Sequence, residues 1–530
     1  MARAASRQSL PKTVAHSAPV ASSSLGRRNI LTNAASNWLG HAAQLATAFF
    51  MFPLLVRALG DGRYGLWSLV ESVLAYLTLM DFGIGAAVLR YVARFDECRD
   101  QHGLNRVFST SLCLFAGAGL LAWSIAAFLA LAFACPLGVP AEMAGDVRWL
   151  LLLLGANLAL GLPLGIFSTV LAGLGRYPLL NSVRTVTLIA RMGLFLTVIH
   201  FGYGLAGLAL ASLAMSLVEH VVLVTAAFHR LPTLRFSLAC CDRETFRQVG
   251  GYSVNAFLAM IAGRVSYQTD AIVIGAFLFP GAITHFAIAA RLVEYTKSSV
   301  RSLTSTLTPT FSALDARGDH AAIRRIFVDS TRYVLWCVLP LQLGFWLLGR
   351  EFLSIWMGPT YAELSYATLV ILSLPLALAM SQSVASRILY GIGRINWFSR
   401  AVLLEAAANL VLSLVLVVPM GIEGVAWGTA IPSLVMNVVL AGYLCRLLEM
   451  PWQEYVRRAW ARPMLVIVVP LVIGLAIKPA WTIDGWSSLF AAGLAIFGPY
   501  AALAVWAEFG GAWLQRRLAV PTTRWAAVRS

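Results

Sequence analysis

Residues 170–176 read VLAGLGR, and residues 388–394 read ILYGIGR. Each stretch closes one apolar run and opens the next. A second pair, GLAGLA at 204–209 and GIEGVA at 421–426, follows at nearly the same interval. The offsets are 218 and 217 residues, and Asn37 aligns with Asn255 at 218 again. Glycine matches are common in membrane helices, but agreement on one offset points to an internal repeat. The interval holds six apolar runs, an even number, so both copies enter the membrane in the same orientation. Parallel repeats place a substrate route between the two halves of a transporter.

The composition agrees. Of 530 residues, 59% are hydrophobic and 12% are charged, and the mean hydropathy is +0.76. A soluble domain is about half apolar and a quarter charged, so this chain reads as a polytopic membrane protein. A span needs about 20 mostly apolar residues, and about 14 candidates lie between residues 33 and 508 on that measure. They include 65–89, 250–276, 282–309, 364–390, 397–418 and 423–445. The predicted fold is all-α, with two parallel six-helix bundles around a central cavity and two further C-terminal helices. The domain boundaries follow: a basic tail over 1–29, a first bundle over 30–230 and a linker over 231–248. A second bundle covers 249–447, two additional spans cover 448–515, and a tail covers 516–530.

The net charge of +16 would suggest a nucleic-acid partner in a soluble protein. Here the cations sit in alternate linkers: Arg94, Arg99 and Arg106, then Arg243 and Arg247, then Arg324 and Arg325, then Arg457, Arg458 and Arg462. That is the positive-inside pattern, which places both termini in the cytoplasm and removes the case for nucleic acid. Residues 1–28 are rich in Arg and Ser and carry no acid, but lack the apolar core of a secretory signal. The seven cysteines are scattered and form no CxxC pair, so neither a disulfide framework nor a metal site is expected. Nucleophile elbow, HExxH, Walker loop and GxGxxG unit are all absent. The external linkers are about a dozen residues or fewer. This argues against an enzyme and against a bound cofactor.

Charge inside a span costs roughly 2.5–3.5 kcal/mol per residue on insertion scales, so intramembrane charges mark function first. Three stripes stand out by helical spacing. Asn37, His41 and Gln44 line one face of the first span. Glu71 and Asp81 lie on the second, ending at Arg90. Arg291, Glu294, Ser298, Arg301, Ser305 and Thr308 line the eighth. The seventh span is less orderly. In GRVSYQTDAIVIG (263–275), Asn255 and Asp270 share a side, with Arg264 and Gln268 turned away from it. Each stripe has a plainer reading. Asn37 can bond to a neighbouring helix, Arg90 can snorkel, and Glu294 can pair with Arg291 or Arg301. Arg184, Arg191, Glu219, Arg387 and Glu405 sit on outer repeat elements and carry less weight.

NWLGHAAQLATAFFMFPLLVRALGDGRYGLWSLV, DFGIGAAVLRYVARF and the repeated GLGR/GIGR turns resemble the polysaccharide and O-antigen flippases. Their superfamily also holds multidrug extruders and the lipid II flippase. The resemblance covers most of residues 30–450 and rests on loose patterns of Gly, Arg and aromatics. It implies a bacterial inner-membrane transporter moving a polyprenyl-pyrophosphate-linked oligosaccharide by alternating access, among membrane lipids and other polysaccharide-assembly membrane proteins. It also implies a cationic cavity, to which Arg264, Arg291 and Arg301 correspond in character, with Arg90 at its mouth. The alternatives are a cation-coupled small-molecule extruder and, further off, a membrane polymerase or ligase.

Overall fold

The computed structural model describes residues 24–132, 141–237, 245–247, 257, 268–479 and 481–510. Arg264 and Asn255 lie outside them. The described residues are helical throughout, joined by short turns. The first half runs α1 (Ser24–Leu59), α2 (Asp61–Leu77), α3 (Ile84–Glu97), α4 (Gln101–Ala132), α5 (Ala144–Gly173), α6 (Tyr177–His200) and α7 (Gly204–Arg230). The second half runs α8 (268–277), α9 (Pro280–Ser305), α10 (Thr308–Ala316), α11 (His320–Trp356), α12 (Pro359–Ser373), α13 (Leu376–Gly391) and α14 (Ile395–Leu447). A short α15 (Trp452–Tyr455) and α16 (Ala461–Val466) lead to α17 (Val468–Ile477) and α18 (Trp486–Val505).

Large apolar side chains cover the outer surface: Leu39, Leu131, Val418, Leu465 and Leu494 are all more than 70% exposed. In water such a surface would be an aggregation hazard, whereas in a bilayer it faces the solvent that suits it. Among the described residues, 9 helices are long and apolar enough to cross a membrane, or up to 11 if each of two bent pairs is one span. The sequence count is higher for physical reasons. The single helical run Ile395–Leu447 fuses two predicted spans across a kink at Gly421 (φ 60°, ψ −136°). Helix α9 carries too much charge to count as an apolar span, and most of 250–276 lies outside the described residues.

Two predicted spans are bent. The one over 65–89 is broken: α2 ends at Leu77, a 3-10 turn covers Thr78–Asp81, and α3 leaves at 43°. Phe82 adopts a left-handed conformation (φ 49°) at the break. The span over 364–390 is broken in the same way at Leu374–Pro375, again by 43°. Pro375 fixes that site, because proline supplies no N–H to the preceding turn. The predicted stripe on the eighth span also stops early, since α9 ends at Ser305 and Thr308 opens α10.

The repeat is visible atom by atom in its turns. Gly175 (φ 71°) and Gly393 (φ 74°) are both left-handed. The Arg176 N–H donates to Leu171 O at 3.0 Å, and the Arg394 N–H donates to Leu389 O at 2.9 Å. Both are glycine-terminated helix ends of the kind only glycine adopts without strain. Two residues earlier, a Cβ on Gly173 would lie 2.8 Å from Val92, and one on Gly391 would lie 2.8 Å from Phe311. Both glycines therefore admit close approach of an earlier helix, α3 in one copy and α10 in the other.

In the first half, α4 packs on α5, α5 on α7, and α6 bridges α1 and α7; in the second, α11 packs on α12 and α13, and α13 on α14. Helices α16–α18 lie against α11. The halves meet chiefly where α2 lies along α9, and one apolar core is shared there. It joins Phe52, Val56 and Leu69 to Ile274, Ile283 and Phe286.

Candidate functional site

The seam between the halves has two ends. At one, where α1 ends and α2, α9 and α12 begin, it is welded. A Cβ on Gly65 would overlap the Pro280 carbonyl oxygen, so only glycine permits that backbone approach. The Arg57 Nη2 group donates to Trp356 O at 3.1 Å, and Trp356 Nε1 donates to Phe49 O at 3.2 Å. The Trp356 ring stacks on Phe49 and Phe52, with centroids 5.0 and 5.4 Å apart. Asp61 accepts from Tyr361 Oη at 2.5 Å and lies 3.8 Å from His285 Nε2, while its carbonyl accepts from Thr284 Oγ1 at 2.7 Å. Further along, Tyr76 Oη and Thr269 Oγ1 are 2.7 Å apart.

Helix α9 carries charge down this seam. At 1.5 Å per residue its 26 residues span about 39 Å, so Arg291 lies roughly 16 Å from the welded end, near mid-membrane. Arg291 Nη2 reaches Glu71 Oε2 on α2 at 3.6 Å, and each side chain keeps 44% of its surface accessible. Their neighbours Leu292 and Val293 are buried. Charged groups at mid-span almost always face a bundle interior or a watery cavity rather than hydrocarbon. One turn on, Glu294 pairs with Arg301 of its own helix. Arg301 also lies in electrostatic reach of Arg387 on α13, whose Nε is buried with no hydrogen-bond partner among the described residues.

A second polar cluster lies inside the second half. Thr429 Oγ1 is 3.2 Å from both carboxylate oxygens of Asp270 and 3.2 Å from Val425 O. A hydroxyl has one proton, so it serves either Asp270 or that carbonyl. Asn409 Nδ2 donates to Thr429 Oγ1 at 2.8 Å. Asn409 Oδ1 and Ser413 Oγ are buried without partners among the described residues. Lys297 lies in electrostatic reach of Asp270, Glu294 and Glu405. Among the described residues, no group of three or more His, Cys, Asp or Glu side chains comes together to hold a metal ion.

The predicted stripes therefore separate. Arg291, Glu71, Glu294 and Arg301 come together along α9, and Asp270 joins them through Lys297. Gln268 is half-buried on α8. Asn37 lies elsewhere: it accepts from Asn181 Nδ2 at 2.5 Å and lines a 310 Å³ groove with Gly85, Ser168 and Arg184. The plainer reading, a bond to the next helix, describes it. His41 is half-buried with an unpartnered Nε2 among the described residues, and Gln44 is exposed. Asp81 accepts the Gly85 N–H at 3.0 Å and so caps α3, where a carboxylate is stabilising. Arg90 is exposed on α3. Of the outer charges, Arg184 pairs with Glu219 at 3.8 Å.

Sequence reasoning missed Lys297, Arg387's place beside Arg301, and Asn409, Ser413 and Thr429. Lys297 stands beside Ser298 of the predicted stripe, and a cation within a span was the signal available. The neutral residues gave none, because Asn, Ser and Thr are ordinary in membrane helices.

This fold defines the class: a multi-pass, wholly helical membrane protein built from two repeated halves. It is shared with solved transporters. A lipid II flippase, MurJ, in an inward closed conformation superposes with a TM-score of 0.73 at 14% identity, covering 91% of this chain and 100% of that one. An inward-facing multidrug resistance MATE family transporter superposes at 0.66 with 15% identity, covering 77% of this chain and 94% of that one. The model of the polysaccharide biosynthesis protein family matches residues 54–366, and the chain belongs to that family. Among curated proteins, a probable low-salt glycan biosynthesis flippase, Agl15, of Haloferax volcanii is 26% identical over 318 residues, which is 60% of this chain and 64% of that protein.

Proposed function

We propose that the protein is a flippase that moves an oligosaccharide, linked through phosphate to a polyprenyl carrier, across the bacterial inner membrane. The observation that carries this reading is the α9 ladder. Arg291 stands at mid-span between the halves, where its ion pair with Glu71 is longer than a hydrogen bond and Tyr64 also bonds its guanidinium. A guanidinium has five N–H donors, so most of them stay open to a phosphate, which guanidinium binds in bidentate fashion. Arg301 and Arg387 extend the cationic path. The polar gap suits a sugar, and the prenyl tail can stay in lipid. Membership of a polysaccharide biosynthesis family and the similarity to a named glycan flippase support it.

Alternating access follows from the seam. With the termini and the Arg-rich linkers in the cytoplasm, the welded end faces outward and the state is inward. The halves at 30–230 and 249–447 rock about this seam, the spans in 448–515 ride on α11, and Asp270 with its oxygens forms the coupling group. The glycan is destined for the cell surface, as O-antigen, capsule or exopolysaccharide.

The test is leaflet exchange in sealed vesicles, using a lipid-linked oligosaccharide labelled on its sugar and an added glycosidase. The wild type exchanges it. Arg291→Ala and Arg387→Ala each lower the rate by roughly 10- to 100-fold, the range of a lost charge-assisted bond. Wild-type protein that ignores such lipids but transports a small organic cation would replace this reading with that of an extruder.

A further inference from the structure

A cavity of about 710 Å³ lies away from the seam, between the start of α11, the α14–α15 turn and the segment leading into α16. It is at the end of the molecule opposite the weld. Six arginines and three carboxylates line it. Half of the arginines are committed. Arg332 is held by Glu508 at 2.7 Å and Asp329 at 2.9 Å. Arg458 meets Glu454 at 3.1 Å, and Arg324 donates to Leu448 O at 3.3 Å. Arg325, Arg457 and Arg462 are exposed, and no ion pair among the described residues engages them. The chain after Gly510 adds four arginines and no acid, so it brings no neutralising charge.

The cavity is also built. Beside the lining residues Val328 and Glu454, Phe327 stacks on Tyr455 with ring centroids 5.0 Å apart, and Gln382 Nε2 donates to Tyr455 Oη at 3.0 Å, which ties the two walls together. Arg457 and Arg458 lie on a π-helical turn, Val456–Trp460, an insertion that costs helix regularity and is frequent where a site is shaped. Position on the membrane is set by α11. Its 37 residues are about 55 Å long, well beyond the roughly 30 Å hydrocarbon core, and residues 321–332 form its first turns. They stand at the depth of lipid headgroups.

We infer that this cavity binds the phosphate of an anionic phospholipid headgroup, held by Arg325, Arg457 and Arg462 on the preorganised wall of Arg332. Basic pockets between membrane helices take such headgroups through charge and bidentate donors. The bound lipid ties α16 to α11 and so fixes the two C-terminal spans to the second half. The leaflet concerned rests on the cytoplasmic orientation proposed above; binding itself does not.

The full-length protein in mild detergent is titrated with phosphatidylglycerol and with phosphatidylcholine, and bound lipid is counted by native mass spectrometry. Phosphatidylglycerol binds about tenfold tighter, and the triple variant Arg325→Gln, Arg457→Gln, Arg462→Gln loses that preference. The corresponding triple Lys variant keeps part of it, and single Arg457→Gln weakens it a few-fold, so a misfolded triple Gln protein still leaves a decision. Equal binding of the two lipids by wild type, or undiminished preference in the soluble variants, overturns the inference. Displacement of the lipid by an equimolar amount of inorganic pyrophosphate overturns the lipid assignment in favour of a soluble anion. Leaflet exchange is not measured here, so failure of this site and failure of the flippase reading are told apart.

Discussion

At the welded end of the seam, polar groups from one half are satisfied by the other: Arg57 by the Trp356 carbonyl, and Asp61 by Tyr361 and Thr284. Along the middle of the seam, the partners are looser. Arg291 meets Glu71 across the halves at 3.6 Å with much of both side chains exposed, and Glu294 turns to Arg301 of its own helix. On the flippase reading proposed above, the difference separates contacts that hold a conformation from contacts that give way to a ligand.

The largest effect should come from filling the weld. Gly65→Val puts side-chain atoms where the Pro280 carbonyl stands. Overpacking of this kind typically costs 1–3 kcal/mol or more, and here the backbone of the other half must move. Leaflet exchange should fall below detection, and a cysteine probe placed at the welded end should become reactive from that side. The next effect separates stability from transport. Because the Arg291–Glu71 pair is exposed, Arg291→Ala should cost only about 1 kcal/mol or less in thermal unfolding, while transport falls at least tenfold. An equal loss in both would make Arg291 a packing residue.

Tyr361→Phe removes one hydrogen bond to Asp61, worth about 1 kcal/mol. It should shift the population away from the closed weld by roughly fivefold, read from the same cysteine probe. The smallest effect is expected remote from the seam: Gly393→Ala strains one left-handed turn by about 1–2 kcal/mol, lowering the melting midpoint without changing substrate selectivity. Gly175→Ala should match it, because the two turns are copies.

Those turns were legible in the sequence because glycine is required there by backbone geometry, and the same geometry recurs 218 residues later. The helical, membrane-spanning character was legible from apolar run length alone. The breaks after Leu77 and at Leu374 were not, although Gly83 and Pro375 mark them, because a break inside an apolar run leaves the hydropathy pattern unchanged. The repeat does not predict them either: the partner of α2 in the other copy is α9, which runs unbroken to Ser305. The weld joins residues as much as 300 apart, such as Asp61 with Tyr361, and no local pattern encodes such a contact. Charges on α9 were found by spacing. Their partners, Thr429 and Asn409 for Asp270 among them, are neutral and emerge only from packing.

The most direct measurement locks the weld. In a background with the seven native cysteines replaced, Asp61→Cys and Tyr361→Cys are bridged by a short, reducible bifunctional thiol reagent, and leaflet exchange is followed before and after reduction. If the halves must part here for the gap to open to the other side, exchange stops on bridging and returns on reduction. Exchange that continues unchanged in the bridged protein would contradict alternating access about this seam.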